Sequence, residues 1–149
     1  MEVLTGQGAF PKDGAMVRFG GVLPDGGKLS SGQAVWIEEK GKIPSYFMYA
    51  AIPDWADGTQ NETAALASCC RSCLDLAKEH GVSVVSFSPV PNCYPVSQAA
   101  SVMEKAVMDF LREQENSMQV RIICGSEQAA AFYRMTYNLL YAETKADRL

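Results

Sequence analysis

Apolar positions recur with two different periods along this chain, and the change from one to the other marks its elements. Leu66, Cys69, Cys70, Cys73, Leu74 and Ala77 follow i, i+3, i+4, i+7 spacing. That stripe predicts an amphipathic helix from Thr59 to His80, with Thr59 or Asn61 as N-cap and Gly81 as its stop. The next run, Val82 to Phe87, is short, β-branched and apolar, which suits a buried strand. Ser88-Pro-Val-Pro-Asn-Cys-Tyr-Pro95 is a proline-punctuated loop. Helical spacing resumes from Val96 to Arg112, with Ala99, Ala100, Met103, Val107, Phe110 and Leu111 inward. Gln119 to Cys124 then gives another apolar strand, and Gly125-Ser126-Glu127 opens a last helix from Gln128 to about Tyr141.

The first third is less regular. Gln33 to Glu39 and Ser45 to Ala51 alternate as strands on either side of Gly41, predicting an antiparallel pair. Pro53 ends the second, and Trp55 is expected to pack under the following loop. Leu23 to Gly32 has loop composition. Asp13 is placed to cap a short helix through Ala15, Met16, Val17 and Phe19, stopped at Gly20-Gly21. Ahead of it, Thr5 to Gly8 is glycine-rich. Such a loop before a helix cradles phosphate, but a plain surface turn has the same composition, and Gly6-Gln7-Gly8 does not separate the two.

This order of elements predicts one α/β domain over residues 1–142, a mixed sheet with helices packed on it, followed by a charged tail at 143–149. In such sheets ligands sit beyond the carboxyl ends of the strands, where loops feed helix N-termini. The loop from Ser88 to Pro95 is therefore the expected wall of a site.

Composition narrows the function classes. A chain of 149 residues can bury roughly 70% of its unfolded surface in one core. A net charge of -4 with interspersed signs argues against a surface built to neutralise nucleic-acid phosphates. No run is apolar enough for a membrane span, and the Met1 region lacks the parts of a signal peptide, so an intracellular, cytoplasmic setting is expected. Of the five cysteines, Cys69, Cys70 and Cys73 share the apolar stripe and are expected in the core. The single histidine, His80, cannot complete a zinc set, so no metal is expected. Cys93 differs, lying in the loop at the approach to a helix, where a thiol becomes reactive.

Ile43-Pro-Ser-Tyr-Phe-Met-Tyr-Ala-Ala-Ile-Pro-Asp-Trp55 resembles the macro-domain signature Leu-Pro-x-(x)-Tyr-Val-Ile-His-Ala-Val-Gly-Pro-x-Trp. Leu66, Cys69, Leu74, Leu76, Ala77, Glu79 and Gly81 follow that family's next helix, and Val84 to Phe87 is similar to its Ser-Ile-Ala-Phe strand. Gly32 to Val35 is similar to its Gly-Glu-Ala-Val segment, and Asp13 to Gly21 to its Asp-Gly-Ala-Ile-His-Arg-Ala-Ala-Gly. The resemblance implies a three-layer αβα, macro-like sheet, here without the family's first strands and the Asp and Asn those carry.

The same resemblance implies recognition of ADP-ribose or a related nucleotide, with little or no hydrolysis of ADP-ribosyl or O-acetyl-ADP-ribose esters and no cofactor. Gly6 and Gly8 match one diphosphate loop, and Asp13 matches the position that orients water in some members. Ser88, Asn92, Cys93 and Tyr94 lie in the second loop, shorter than the family's and without glycine, so less able to wrap a diphosphate. The alternative is a degenerate, non-catalytic module serving as a structural or interaction subunit. A partner or second copy would then cover the sheet edge, and Trp36, Phe47 and Met48 would be exposed without it.

Overall fold

The computed structural model describes residues 1–5, 14–20, 23–41, 46–91, 94–114 and 118–147. Its elements are β1 (Glu2–Thr5), β2 (Ala15–Phe19), β3 (Ala34–Glu38), β4 (Tyr46–Ala50), α1 (Glu62–Glu79), β5 (Val84–Phe87), α2 (Val96–Glu113), β6 (Gln119–Cys124) and α3 (Glu127–Asp147). The strands form one six-stranded mixed sheet in the order β1-β6-β5-β2-β4-β3. Every neighbouring pair is parallel except β3 with β4, the antiparallel pair expected from the sequence.

Strand alternation sorts the sheet into two faces. Ala15, Val17, Met48, Ala50, Val85, Phe87, Val120, Ile122 and Cys124 join one core with Leu66, Cys70, Leu74, Met103, Phe110 and Tyr133. All three helices therefore lie on that face. A second helical layer, as in a three-layer sandwich, is not among the described residues. On the other face the Arg18 guanidinium sits 4.0 Å over the Phe47 ring and donates to the Tyr49 hydroxyl at 3.0 Å. The Tyr49 hydroxyl in turn donates to Glu39. The expected exposure of a bare edge does not occur: Phe47 and Met48 are buried and Trp36 packs against the core.

Three sequence expectations are corrected. Ala15–Phe19 is a strand, not a capped helix, because it pairs in parallel with both β4 and β5. Its entry depends on Gly14, at φ +71, where an added Cβ would stand 2.1 Å from the Val84 carbonyl oxygen. Glu2–Thr5 is also a strand, so two strands precede β3; Arg134 on α3 fastens it by donating to the Val3 carbonyl at 3.1 Å. Finally, α3 continues through Asp147, past the expected helix end near Tyr141.

Candidate functional site

Because β1, β6, β5, β2 and β4 run the same way, Thr5, Cys124, Phe87, Phe19 and Ala50 end at one side of the sheet. The loops leaving that side are the candidate site. Ser88, half-buried, follows β5 there, and Tyr94 is 6% exposed in the same loop. Gly6, Gly8, Asp13, Asn92 and Cys93 lie outside the described residues. Their described neighbours differ in place: Thr5, next to Gly6, stands at the carboxyl side, whereas Gly14, next to Asp13, abuts Val84 at the amino side.

The loop between β4 and α1 is organised by a residue the sequence reading passed over. Glu62 is fully buried, and its carboxylate accepts the amide protons of Ala56 and Gly58, each at 2.9 Å, and of Gln60. Burial alone would push this carboxyl up; the amide donors outweigh it and hold the group below the usual carboxylate range. The loop needs that hold, since Asp57 and Asn61 have positive φ of 55° and 56°. Asn61 makes no side-chain cap, so the expected N-cap role passes to the carboxylate that follows it. The signal was present: Glu62 falls on the apolar stripe, four residues before Leu66.

Tyr94 ties this loop to the next. Its ring lies 5.4 Å from that of Trp55, and its hydroxyl donates to the Glu62 carbonyl at 3.3 Å. Burial, then the Glu62 charge, pushes its phenol up to about 12. The loop after β5 is held from beneath by α3, where the buried Tyr133 hydroxyl accepts the Val90 amide proton at 3.2 Å. Ser126 caps α3, its hydroxyl accepting the Ala129 amide at 3.2 Å. Two concave regions among the described residues lie elsewhere, one at the amino side around Met1, Val84 and Met118, the other between α1 and α2 around Ala67 and Ala106.

A family model described as the macro domain matches residues 23–103. A macro domain-containing protein of Chlorobaculum tepidum is 29% identical over 77% of this chain, the match spanning 64% of that relative's own length. An O-acetyl-ADP-ribose deacetylase of Salmonella gallinarum is 31% identical over 72% of this chain and 62% of its own length. Among solved structures, the Oceanobacillus iheyensis macrodomain with ADP superposes with a TM-score of 0.82 at 19% identity, covering 95% of this chain and 91% of that one. The Trypanosoma brucei macrodomain in complex with ADP gives 0.76 at 18%, covering 90% and 67%. With more than half its length matched by the family model and its fold similar to that of solved macrodomains, the chain belongs to the macro domain family.

Proposed function

We propose that this chain is a recognition module for ADP-ribose or a related nucleotide, bound across the carboxyl side of the sheet, with little or no hydrolase activity. The observation that carries the reading is the convergence of the loops after β4, β5 and β6, with the end of β1, on one side of a sheet whose fold is that of macrodomains solved with ADP. Gly6, Gly8, Ser88, Asn92, Cys93 and Tyr94 are the proposed ligand residues. Asp13 is the remaining proposed ligand residue; Gly14, which follows it, meets the amino end of β5. The low catalytic expectation has physical support. Several polar groups of the described loops at that side are held within the fold: Glu62 on three amides, Thr59 on the Ala56 carbonyl, Tyr94 on the Glu62 carbonyl and Ser126 on the Ala129 amide.

Calorimetry with ADP-ribose tests the reading. We expect saturable heat that is lost in Gly8→Glu, and no turnover of an ADP-ribosylated protein or of O-acetyl-ADP-ribose. No heat at millimolar ligand, a level sensitive to about -4 kcal/mol of binding, would reject the nucleotide reading. Turnover abolished by Asp13→Ala would reject the non-catalytic part.

A further inference from the structure

Backbone amides are the usual means by which a loop beyond a parallel strand holds phosphate. The segment Pro89-Val90-Pro91 has only one, because proline carries no amide hydrogen. That one is already used: the Val90 amide donates to the Tyr133 hydroxyl at 3.2 Å. Tyr133 is 1% exposed and belongs to the core beneath the sheet's carboxyl side, so the amide points into the fold. A planar trans peptide sends the Pro89 carbonyl the opposite way, away from α3. What this stretch turns outward is thus an acceptor oxygen and proline ring methylenes. A phosphate meeting it finds no backbone donor and a lone pair of its own sign. A ribose hydroxyl or an exocyclic amine, each a donor, finds a partner.

We infer that Tyr133 sets specificity at this site, silencing the one amide of Pro89–Pro91 so that this wall takes the donor groups of a nucleoside and leaves the diphosphate to other loops. The inference rests on the nucleotide reading above. The phenol stays neutral throughout the physiological range, burial pushing it up to about 12, so the hydroxyl keeps both its lone pairs and its proton.

The test is an amide NMR titration of the full chain with adenosine and with ADP, beside the same titration of Tyr133→Phe, which keeps the ring and removes only the oxygen. In the unaltered chain the Val90 amide should be slow to exchange and should respond equally to the two ligands. In Tyr133→Phe nothing holds the amide inward and the Pro89–Val90 peptide is free to turn, so the amide should exchange fast and affinity for ADP relative to adenosine should rise about tenfold, the size of one hydrogen bond to a charged group. An amide that responds to ADP but not to adenosine in the unaltered chain would overturn the inference, as would a variant that loses both ligands in equal measure. Should the variant fail to fold, the Val90 amide of the unaltered chain decides alone. Binding of neither ligand at millimolar concentration would reject the nucleotide reading itself and this assignment with it, whereas binding with the wrong amide response rejects only the assignment.

Discussion

The Glu62 carboxylate accepts the Gly58 amide proton at 2.9 Å, inside the turn that leads from β4 into α1. Gly58 sits at φ +78 with the Trp55 ring 3.6 Å from where a Cβ would stand. The turn is closed by a side chain from the helix it precedes. Glu62→Gln keeps the shape but replaces an acceptor-only group with one that also presents donors to the amides, and should lower the melting temperature. The sign with pH follows from the depressed folded pKa. Stability from this group is fully present above the ordinary carboxylate range and is lost as pH falls through the lower folded value. Melting curves from neutral pH down to about pH 3 should therefore show the wild type and Glu62→Gln converging in acid; parallel curves would show that the amides do not depend on the charge.

Gly14→Ala should be among the most damaging single-methyl changes in the chain. The added Cβ would stand 2.1 Å from the Val84 carbonyl oxygen, and the positive φ of 71° adds strain wherever that oxygen moves. Relief requires separating β2 from β5 at their paired end, Ala15 with Val85. Loss of the soluble folded state, or a fall in stability of roughly 3 kcal/mol or more by urea denaturation, is expected. A variant within about 0.5 kcal/mol of wild type would mean that β2 does not lie against β5 as described.

α1 and the strands β3 to β6 were legible because their period is little interrupted and glycine or proline follows each, whereas α2 and α3 were legible from helical spacing alone, with no such stop to mark the end of α3. β2 was not. Five residues carry too little period to separate strand from helix, and Asp13 before them with Gly20-Gly21 after them are ordinary helix boundary signals. What decides is pairing with β4 and β5, which sequence spacing does not display. β1 is legible only once β6 is in place beside it. The site was legible as the loop 88–95, but not its supports: Tyr133 is one aromatic among several on α3, and its partner Val90 is distant in sequence. Glu62 and Glu104 were visible as carboxylates on apolar stripes, a signal that helical-face counting passes over when it tallies only apolar residues.

The buried thiols should be slow to react. Cys69, Cys70, Cys73 and Cys124 are free and buried. Burial pushes the Cys69 thiol up to about 11 and the Cys70, Cys73 and Cys124 thiols upward as well, so little thiolate is present near neutrality. Cys69 is further engaged, its Sγ donating to the Ala51 carbonyl at 2.9 Å. Brief alkylation of the native chain followed by mass spectrometry should leave these four unlabelled, with Cys93 modified first. Early labelling of Cys73 would put the α1 stripe on the outside of the fold.

Glu104 should make the fold weaker as pH rises. It occupies the inner side of α2, one residue beyond Met103 and three before Val107, and is fully buried; both carboxyl oxygens lack a hydrogen-bond partner. Cys124 on β6 and Tyr133 on α3 are close enough to feel its charge, and neither offers a positive one. Burial pushes the carboxyl up to about 8. In the unfolded chain it ionises near pH 4.3, so between there and about 8 the unfolded state binds fewer protons than the native one and stability falls as pH climbs, by ~1.4 kcal/mol per pH unit. Across the whole window the loss is on the order of a few kcal/mol, a large share of a domain's total stability. Glu104→Met fills the same space with an apolar chain and has nothing to titrate. Urea denaturation of both proteins at several pH values between about 5 and 8 should show the variant's advantage widening steadily toward alkaline pH. A constant difference would mean that the carboxyl ionises normally in the fold, and therefore that water or a cation reaches the interior between α2 and α3.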